Sequence, residues 1–369
     1  MSLAPLHWHL FCRVIDNFGD IGVAWRLARQ IAASGDVVTL WCDDRSALAW
    51  MAADGDPSID VRDWPTTLSD GDWPHDEGDG VVIELFGCAL PDAVQARMAA
   101  QAQRWVWLNL EYLSAERQTA RNHGLRSPVM TGPARGMDKW FFYPGFTADT
   151  GGLLREADLG PRQAAFDRAA WRRQSANLSS PGAAELTQWI SLFCYEPGPL
   201  GAALAALKPK AQHLLVTPGR TQQAVAAHAH RDNWPNHWQA VNWCSQDEFD
   251  AMLWACDLNL VRGEDSLVRA LWAGQAFVWQ IYPQDDGAHQ AKLQAFLDWL
   301  DAPADWRQAH LLWNGLSAGR WQWPDATRLE AWRECAQQAG QRLLAQDDLL
   351  SALRQFVQTH RPGAPTTGG

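Results

Sequence analysis

The chain has 369 residues, of which 47% are hydrophobic and 20% charged, and its formal net charge is −11 at pH 7. This length and composition predict a soluble globular protein with room for two domains. The acidic balance argues against binding nucleic acid through a basic surface, and no apolar run approaches the roughly 20 residues that a membrane span needs.

A first βα unit is predicted at the start of the chain. Residues 8–15 form an apolar run of strand length, and Ile21, Ala24 and Ala28 recur behind it at helical spacing. The turn between them lies at the carboxyl end of the strand, where open α/β sheets bind their ligands. It contains neither the GxGxxG pattern of dinucleotide-binding proteins nor a glycine-rich Walker loop.

Two carboxylates, Asp16 and Asp20, flank this turn and are candidate catalytic residues. Taken singly, Asp20 is more often a helix N-cap and Asp16 a turn former. Asn17 and Gly19 suit a turn because both tolerate positive φ angles. Together, at the mouth of the first unit, the two carboxylates predict a site that deserves a test.

Alternating strands and helices continue through the first half of the chain. Strands are predicted at residues 37–42, 59–61, 81–86 and 104–110, with helices at 45–53 and 91–103. This order predicts a mostly parallel sheet with helices on both faces. Further on, we interpret 132–148 as a glycine- and aromatic-rich loop, 156–176 as a helix and 177–182 as a linker.

A second α/β series follows the linker. Its strands are predicted at residues 188–193, 212–216, 258–261 and 277–281, and its helices at 200–206, 248–255, 266–273 and 287–300, with further helices up to residue 358. We therefore expect two Rossmann-like domains facing across a cleft, with C-terminal helices, which is the GT-B arrangement of glycosyltransferases by fold analogy. The predicted ranges are 1–182, 183–360 and a disordered tail at 361–369.

A candidate phosphate site lies at residues 262–266, where a strand ends and a helix is expected to begin at Asp265 or Ser266. Free N–H groups at a helix start favour a pyrophosphate, and Arg262 adds a charged donor. Alternatively, Asp265 or Ser266 is a simple cap and Arg262 its salt-bridge partner. From the residues alone the two interpretations are equally supported.

A nucleobase needs a flat apolar surface and a few amide partners. Phe193, Tyr195 and Trp243 are predicted on loops at the strand ends of the second domain, and Gln246 offers an amide there. Each aromatic residue is individually more often core than ligand contact, as most of the 23 tryptophans must be. Their shared position at the carboxyl edge of the sheet favours binding.

Metal sites are not predicted. The seven cysteines include no CxxC pair, which is typical of buried thiols in a reducing compartment, and no histidines have ligand spacing. The N-terminus has no signal-peptide pattern, so a cytoplasmic location is expected. We interpret the acidic pairs at 43–44 and 285–286 as solvated loop residues. We therefore expect a protein that needs neither a metal nor a cofactor.

Three long motifs resemble those of the bacterial protein-arginine rhamnosyltransferases that modify elongation factor P. They are residues 16–30 (DNFGDIGVAWRLARQ), 253–266 (LWACDLNLVRGEDS) and 272–284 (WAGQAFVWQIYPQ). The resemblance implies that Asp16, Asp20 and Glu264 are the essential carboxylates. It also implies that Tyr195 and Gln246 contact a thymidine diphosphate, with Arg262, Asp265 and Ser266 on its phosphates. We expect further donor contacts from Phe193 and Trp243, and from Asn17, Phe18 and Gly19 in the first turn.

The same resemblance implies the reaction and its partners. We expect inverting transfer of L-rhamnose from dTDP-β-L-rhamnose to an arginine of elongation factor P, which activates that factor to rescue ribosomes stalled at polyproline. Asp20 is the expected base, Glu264 a partner of the guanidinium and Asp16 a positioning residue. Two alternatives stay open: a GT-B enzyme that uses another nucleotide-sugar on a glycan or lipid, and a catalytically silent binding or scaffold protein.

Overall fold

The computed structural model describes residues 5–15, 18–68, 73, 80–101, 105–175, 188–208, 211–231, 238–284 and 287–361. These residues form two compact units. The N-terminal unit contains the described residues up to Glu156 and those from Leu343 onward, whereas the C-terminal unit runs from Ala157 to Arg342. Each unit has its own sheet.

The strands of the N-terminal unit are β1 (His7–Cys12), β2 (Val37–Cys42), β3 (Ile59–Asp63), β4 (Gly80–Leu85), β5 (Trp105–Leu110), β6 (Arg126–Pro128) and β7 (Asp138–Phe142). They form one sheet in the order β3-β2-β1-β4-β5-β7-β6. Neighbouring strands are parallel except for the antiparallel pair β6–β7. The central strands β1 and β4 are buried throughout, as parallel strands covered on both faces must be.

The first helices of this unit are α1 (Gly19–Ala33), α2 (Leu48–Met51), α3 (Asp92–Ala99) and α4 (Arg117–Asn122). The apolar residues of α1 recur at helical spacing, and Ile21, Leu27 and Ile31 are buried in one cluster with Leu10 of β1. A second cluster lies around α3, whose Val94 and Met98 are fully buried in it. The sheet is therefore packed on both faces.

The C-terminal unit has a five-stranded sheet in the order β10-β9-β8-β11-β12, all parallel, made of β8 (Gln188–Leu192), β9 (Gln212–Val216), β10 (Trp238–Ala240), β11 (Leu258–Arg262) and β12 (Ala276–Gln280). Its helices are α5 (Leu159–Ala165), α6 (Arg168–Ser175), α7 (Leu200–Ala205), α8 (Arg220–Arg231), α9 (Gln246–Ala255), α10 (Gly263–Ala273), α11 (Ala288–Leu300), α12 (Ala304–Trp313) and α13 (Ala326–Leu344).

The last helix, α14 (Leu349–His360), belongs to the N-terminal unit. Asp348 caps it by accepting the N–H of Ser351, and Leu353 and Val357 are buried in the same apolar cluster as α1. The domain ranges expected from the sequence, which placed everything up to residue 360 in the second domain, differ from this division. The predicted boundary at residue 182 lies outside the described residues.

Most predicted strands are confirmed, and β2 and β9 have the predicted bounds. The prediction missed β6, β7, β10, α4 and α8, and the helix expected at 156–176 is two helices, α5 and α6. The strands β6 and β10 have only three residues each, too few to show a period, and β7 lies in the aromatic run that we interpreted as a loop. The predicted tail lies outside the described residues beyond Arg361.

Candidate functional site

Both sheets reverse the direction of their crossovers at the first strand. In the N-terminal unit β1 lies between β2 and β4, and in the C-terminal unit β8 lies between β9 and β11. The carboxyl ends of the strands leave an open crevice at such a point, and ligands of α/β proteins bind there. The predicted site residues follow these strands in the chain, with 16–20 after β1, Phe193 and Tyr195 after β8, and Arg262 at the end of β11.

Asp20 lies in the first turn of α1 and is only 2% exposed. Its Oδ2 accepts the N–H of Ile15 at 2.8 Å, so the carboxylate fastens the chain that leaves β1 to the start of the helix. The helix begins at Gly19 and its N-cap residue is Phe18, so the alternative that Asp20 is the N-cap is wrong. Burial, followed by the charge of Asp20, raises the pKa of the neighbouring Cys12 thiol well above its usual range.

The other residues of this turn are only partly described. Phe18 packs edge to face on Trp50, with ring centroids 5.1 Å apart, and Gly19 begins α1. Phe18 therefore also contributes to the apolar core of the N-terminal unit. Asp16 and Asn17 lie outside the described residues, so the roles expected for them, and the donor contacts of Phe18 and Gly19, stay predictions.

Arg262 lies between two aromatic rings of the C-terminal unit. Its guanidinium carbon is 4.4 Å from the ring centroid of Phe193 and 4.6 Å from that of Tyr195. Its Nη1 donates to the Cys194 carbonyl at 2.9 Å, and the residue is only 6% exposed. The structure thus places two predicted donor contacts, Phe193 and Tyr195, against the permanent positive charge of a third, Arg262.

The start of α10 differs from the prediction. The helix begins at Gly263, whose φ of +69° suits glycine, and Arg262 is the N-cap residue, so a cap at Asp265 or Ser266 is wrong. Glu264 and Asp265 lie half-buried in the first turn. The Ser266 hydroxyl accepts the N–H of Arg262 at 3.1 Å and donates to the Arg262 carbonyl. Ser266 therefore holds the backbone of the central arginine.

Trp243 and Gln246 lie at the start of α9. Trp243 is 45% exposed, and a Cβ added to Gly219, in the loop after β9, would stand 3.2 Å from its ring. Gln246 is the first residue of the helix and is buried, and the reciprocal hydrogen bonds of Ser245 and Glu248 fix that helix start. Trp243 and Gln246 are three residues apart in the chain, and an exposed aromatic ring and an amide are the groups that a nucleobase needs.

Sequence reasoning missed two residues beside Tyr195. Gln280 ends β12, and its Oε1 accepts the N–H of Tyr195 at 2.8 Å. Tyr282 packs edge to face on Tyr195, with ring centroids 5.6 Å apart. Among the described Phe, Trp and Tyr side chains, only Trp243 and Tyr282 are exposed. The available signal was a polar residue, Gln280, at the end of an otherwise apolar strand.

The remaining titratable groups define the chemistry further. Within the part of the chain that the structure describes, no three His, Cys, Asp or Glu side chains converge as metal ligands. The expectation that no metal or cofactor is used stays a prediction. Burial raises the pKa of the Cys194 and Cys256 thiols to about 12, so both are neutral at physiological pH.

None of the described helices is both long and apolar enough to cross a membrane.

Two Rossmann-like units with C-terminal helices, and a buried arginine at the switch point of the second sheet, define a glycosyltransferase of the GT-B class. A family model described as elongation factor P (EF-P) rhamnosyltransferase EarP matches residues 8–358. The chain belongs to this family.

Named relatives and solved structures agree with this assignment. The protein-arginine rhamnosyltransferase of Pseudomonas putida is 41% identical, covering 95% of this chain and 98% of its own. That of Pseudomonas aeruginosa is 40% identical, with the same coverage. A structure described as the basis for EarP-mediated arginine glycosylation of EF-P has a TM-score of 0.58 at 28% identity, covering 96% of this chain and 99% of that one. The kitacinnamycin glycosyltransferase, with a TM-score of 0.52 at 14% identity over 96% of this chain and all of its own, shares the fold alone.

Proposed function

We propose that the chain transfers L-rhamnose from dTDP-β-L-rhamnose to an arginine side chain of elongation factor P, in the cytoplasm. The observation that carries this proposal is the Arg262 guanidinium, buried between Phe193 and Tyr195 where β11 meets the start of α10. Membership of the EF-P rhamnosyltransferase family supports the sugar and the acceptor.

The donor is assigned to the C-terminal unit. Trp243, whose side chain is 45% exposed, supplies a flat surface for the base, and Gln246 supplies its amide. Tyr195, which is only 5% exposed, is a further expected contact and packs against Arg262. We assign the diphosphate to the start of α10, because Arg262 carries a permanent positive charge and the first N–H groups of a helix attract anions. As the bond between the sugar and the diphosphate breaks, the leaving group gains charge, and a fixed arginine stabilises that charge without reorganisation.

The acceptor is assigned to the N-terminal unit. An arginine guanidinium is a poor nucleophile because its lone pairs are delocalised and its pKa exceeds about 12. Carboxylates can orient it and take a proton from its nitrogen as the C–N bond forms. We assign the proton to Asp20 and the positioning of the loop to Asp16, both of this unit. Glu264, which lies in α10 of the C-terminal unit, is assigned to the guanidinium or to the transition state. The bond from Ile15 N–H to Asp20 supports a carboxylate of fixed orientation.

The proposed reaction proceeds with inversion and without a metal ion. Direct attack by the acceptor nitrogen on the face opposite the leaving diphosphate converts a β-configured donor into an α-linked product. The positive charge of Arg262 and the dipole of α10 then take the part that a divalent cation plays in metal-dependent transferases.

The test is incubation of the purified protein with dTDP-rhamnose and unmodified elongation factor P, followed by mass spectrometry of the factor's peptides. We expect one added deoxyhexose on an arginine. UDP-glucose and GDP-mannose in parallel reactions are the control for donor choice. Modification with another sugar, or of a glycan or lipid offered in place of the factor, would replace this proposal by the alternative. No transfer to any acceptor, with dTDP still bound, would indicate a silent nucleotide-sugar-binding protein.

A further inference from the structure

A fully buried ion pair joins α9 and α10 inside the C-terminal unit. Arg269 of α10 donates from Nε to Oδ1 of Asp250 at 2.9 Å, and from Nη2 to Oδ2 at 2.6 Å. Both side chains are 1% exposed. The pair is therefore bidentate and desolvated, and neither residue takes part in the chemistry proposed above.

The pair lies about one turn into each of the two helices whose starts form the proposed donor site. Asp250 follows Gln246 by four residues, and Arg269 follows Ser266 by three, so each shares a helix face with a donor contact. At a rise of about 1.5 Å per residue, the pair lies about 6 Å along α9 from Gln246 and about 4.5 Å along α10 from Ser266.

A third helix, α5, contacts both α9 and α10. Arg162 of α5 donates to Asp247 at 2.9 Å and lies 3.5 Å from Asp250, both in α9. Its neighbour Gln163 donates to the carbonyl of Trp272 in α10 at 2.6 Å. The short helix α5 thus contacts α9 near its start and α10 near its end.

Stability alone does not account for such a pair. Two charges removed from water lose their hydration, and well-packed apolar side chains of similar volume commonly stabilise a protein as well or better. What a bidentate pair adds is direction, because a fork and a carboxylate bond well in one relative orientation. Apolar packing between helices leaves more freedom for one helix to slide along the other.

We propose that Asp250 and Arg269 are positioning residues, which hold the base-binding start of α9 and the phosphate-binding start of α10 at the spacing of one nucleoside diphosphate. This inference rests on the proposed function. When both ends of the donor are in reach at once, binding one end makes binding the other nearly intramolecular, and a small misplacement loses that advantage. The pair therefore acts on the donor as a whole and on neither half alone.

The experiment measures dissociation constants of dTDP, thymidine and inorganic pyrophosphate by calorimetry for the unaltered chain, Asp250→Asn and Arg269→Lys. We expect the constant for dTDP to rise at least about tenfold in both variants, with those for thymidine and pyrophosphate nearly unchanged. Arg172→Lys is the matched control, since Arg172 is a buried arginine that binds Asp257 and the last carbonyl of α9, at the far end of that helix. It should leave dTDP binding unchanged.

The double variant Asp250→Leu/Arg269→Met separates positioning from stability. We expect it to restore the unfolding midpoint lost in the single variants while dTDP binding stays weak. Restored dTDP binding, or equal weakening of dTDP and both of its halves in the single variants, would overturn the inference. If the unaltered chain binds UDP in place of dTDP, the proposed donor is wrong and the pair is tested with UDP, uridine and pyrophosphate. If it binds no nucleoside diphosphate, the proposed function and this inference both fall.

Discussion

Replacement of Arg262 by alanine tests the proposed diphosphate site most directly. The change removes a guanidinium that is 6% exposed, lies against the rings of Phe193 and Tyr195, and donates to the Cys194 carbonyl. Because a hydrogen bond to a charged group contributes about 1.5–3 kcal/mol, we expect the dissociation constant of dTDP to rise about 10-fold to 150-fold. The dissociation constant of thymidine, which has no phosphate, should rise by less than about threefold.

Two further variants set the scale of this effect. Arg262→Lys keeps the charge but loses the planar fork, so it should weaken dTDP binding by an intermediate amount. Arg220→Ala removes a guanidinium whose carbon lies 5.6 Å from the centroid of the Tyr195 ring, but Arg220 is exposed and pairs with exposed Glu196. This variant should raise the dissociation constant of dTDP by less than about fivefold.

The assay is titration calorimetry with both ligands, alongside thermal unfolding of each variant. Unfolding midpoints show whether the loss of the bond to Cys194 destabilises the C-terminal unit, and binding is compared only well below the lowest midpoint. Equal losses for thymidine and dTDP would show that Arg262 holds the aromatic rings in place and does not face the phosphates. That result would refute the assignment of the leaving group to the start of α10.

Four other predictions concern the base, the stereochemistry, the last helix and the pH dependence of stability. Asp20→Asn, which retains an oxygen for the Ile15 N–H, should keep dTDP binding and lose about 10²-fold or more in transfer rate; near-normal transfer would make Asp20 purely structural. Transfer in excess EDTA should continue and give an α-linked product by NMR, whereas rescue by added magnesium or a β-linkage would contradict the mechanism. Leu353→Ala should lower the free energy of unfolding by about 2–5 kcal/mol, because α14 packs on the N-terminal core. The loss should be seen as faster hydrogen exchange in β1 and β4, whereas faster exchange confined to the C-terminal unit would contradict that packing. Burial lowers the pKa of His310 to about 4, so the unfolded chain binds a proton at this side chain more readily than the folded chain does. About 3 kcal/mol of the free energy of unfolding should therefore be lost as the pH falls from about 6.5 to 4. His310→Gln should remove this part of the pH dependence in denaturant titrations, and an unchanged slope would show that His310 does not cause it.

The elements around the site were predictable wherever the signal is local. A short apolar run followed by helical spacing identified β1 and α1, and β9 was predicted with its observed bounds. The same patterns placed the candidate residues at the carboxyl ends of strands, because that position depends only on element order. Prediction failed where elements are short, as in β10, or where the run carries no period, as in β7.

The start of α10 shows how a local signal can mislead. Asp265 and Ser266 are residue types that cap helices, so the sequence favoured a helix beginning there. In the structure Gly263 takes a positive φ and the helix begins with it, while Ser266 bonds back to the backbone of Arg262. The capping residues were thus assigned from type, whereas the helix start is set by the end of β11.

By itself, the sequence determined the α/β class, two sheets of parallel strands and the family, because periodicity and long motifs are contained in neighbouring residues. Only the tertiary structure decided that Arg262 lies against the loop at Cys194, 68 residues away in the chain, and that Asp250 meets Arg269. It also decided that α14 completes the N-terminal core. Strand order and helix packing bring these residues together, and both depend on the burial of apolar surface over a whole unit, which no short stretch of sequence encodes.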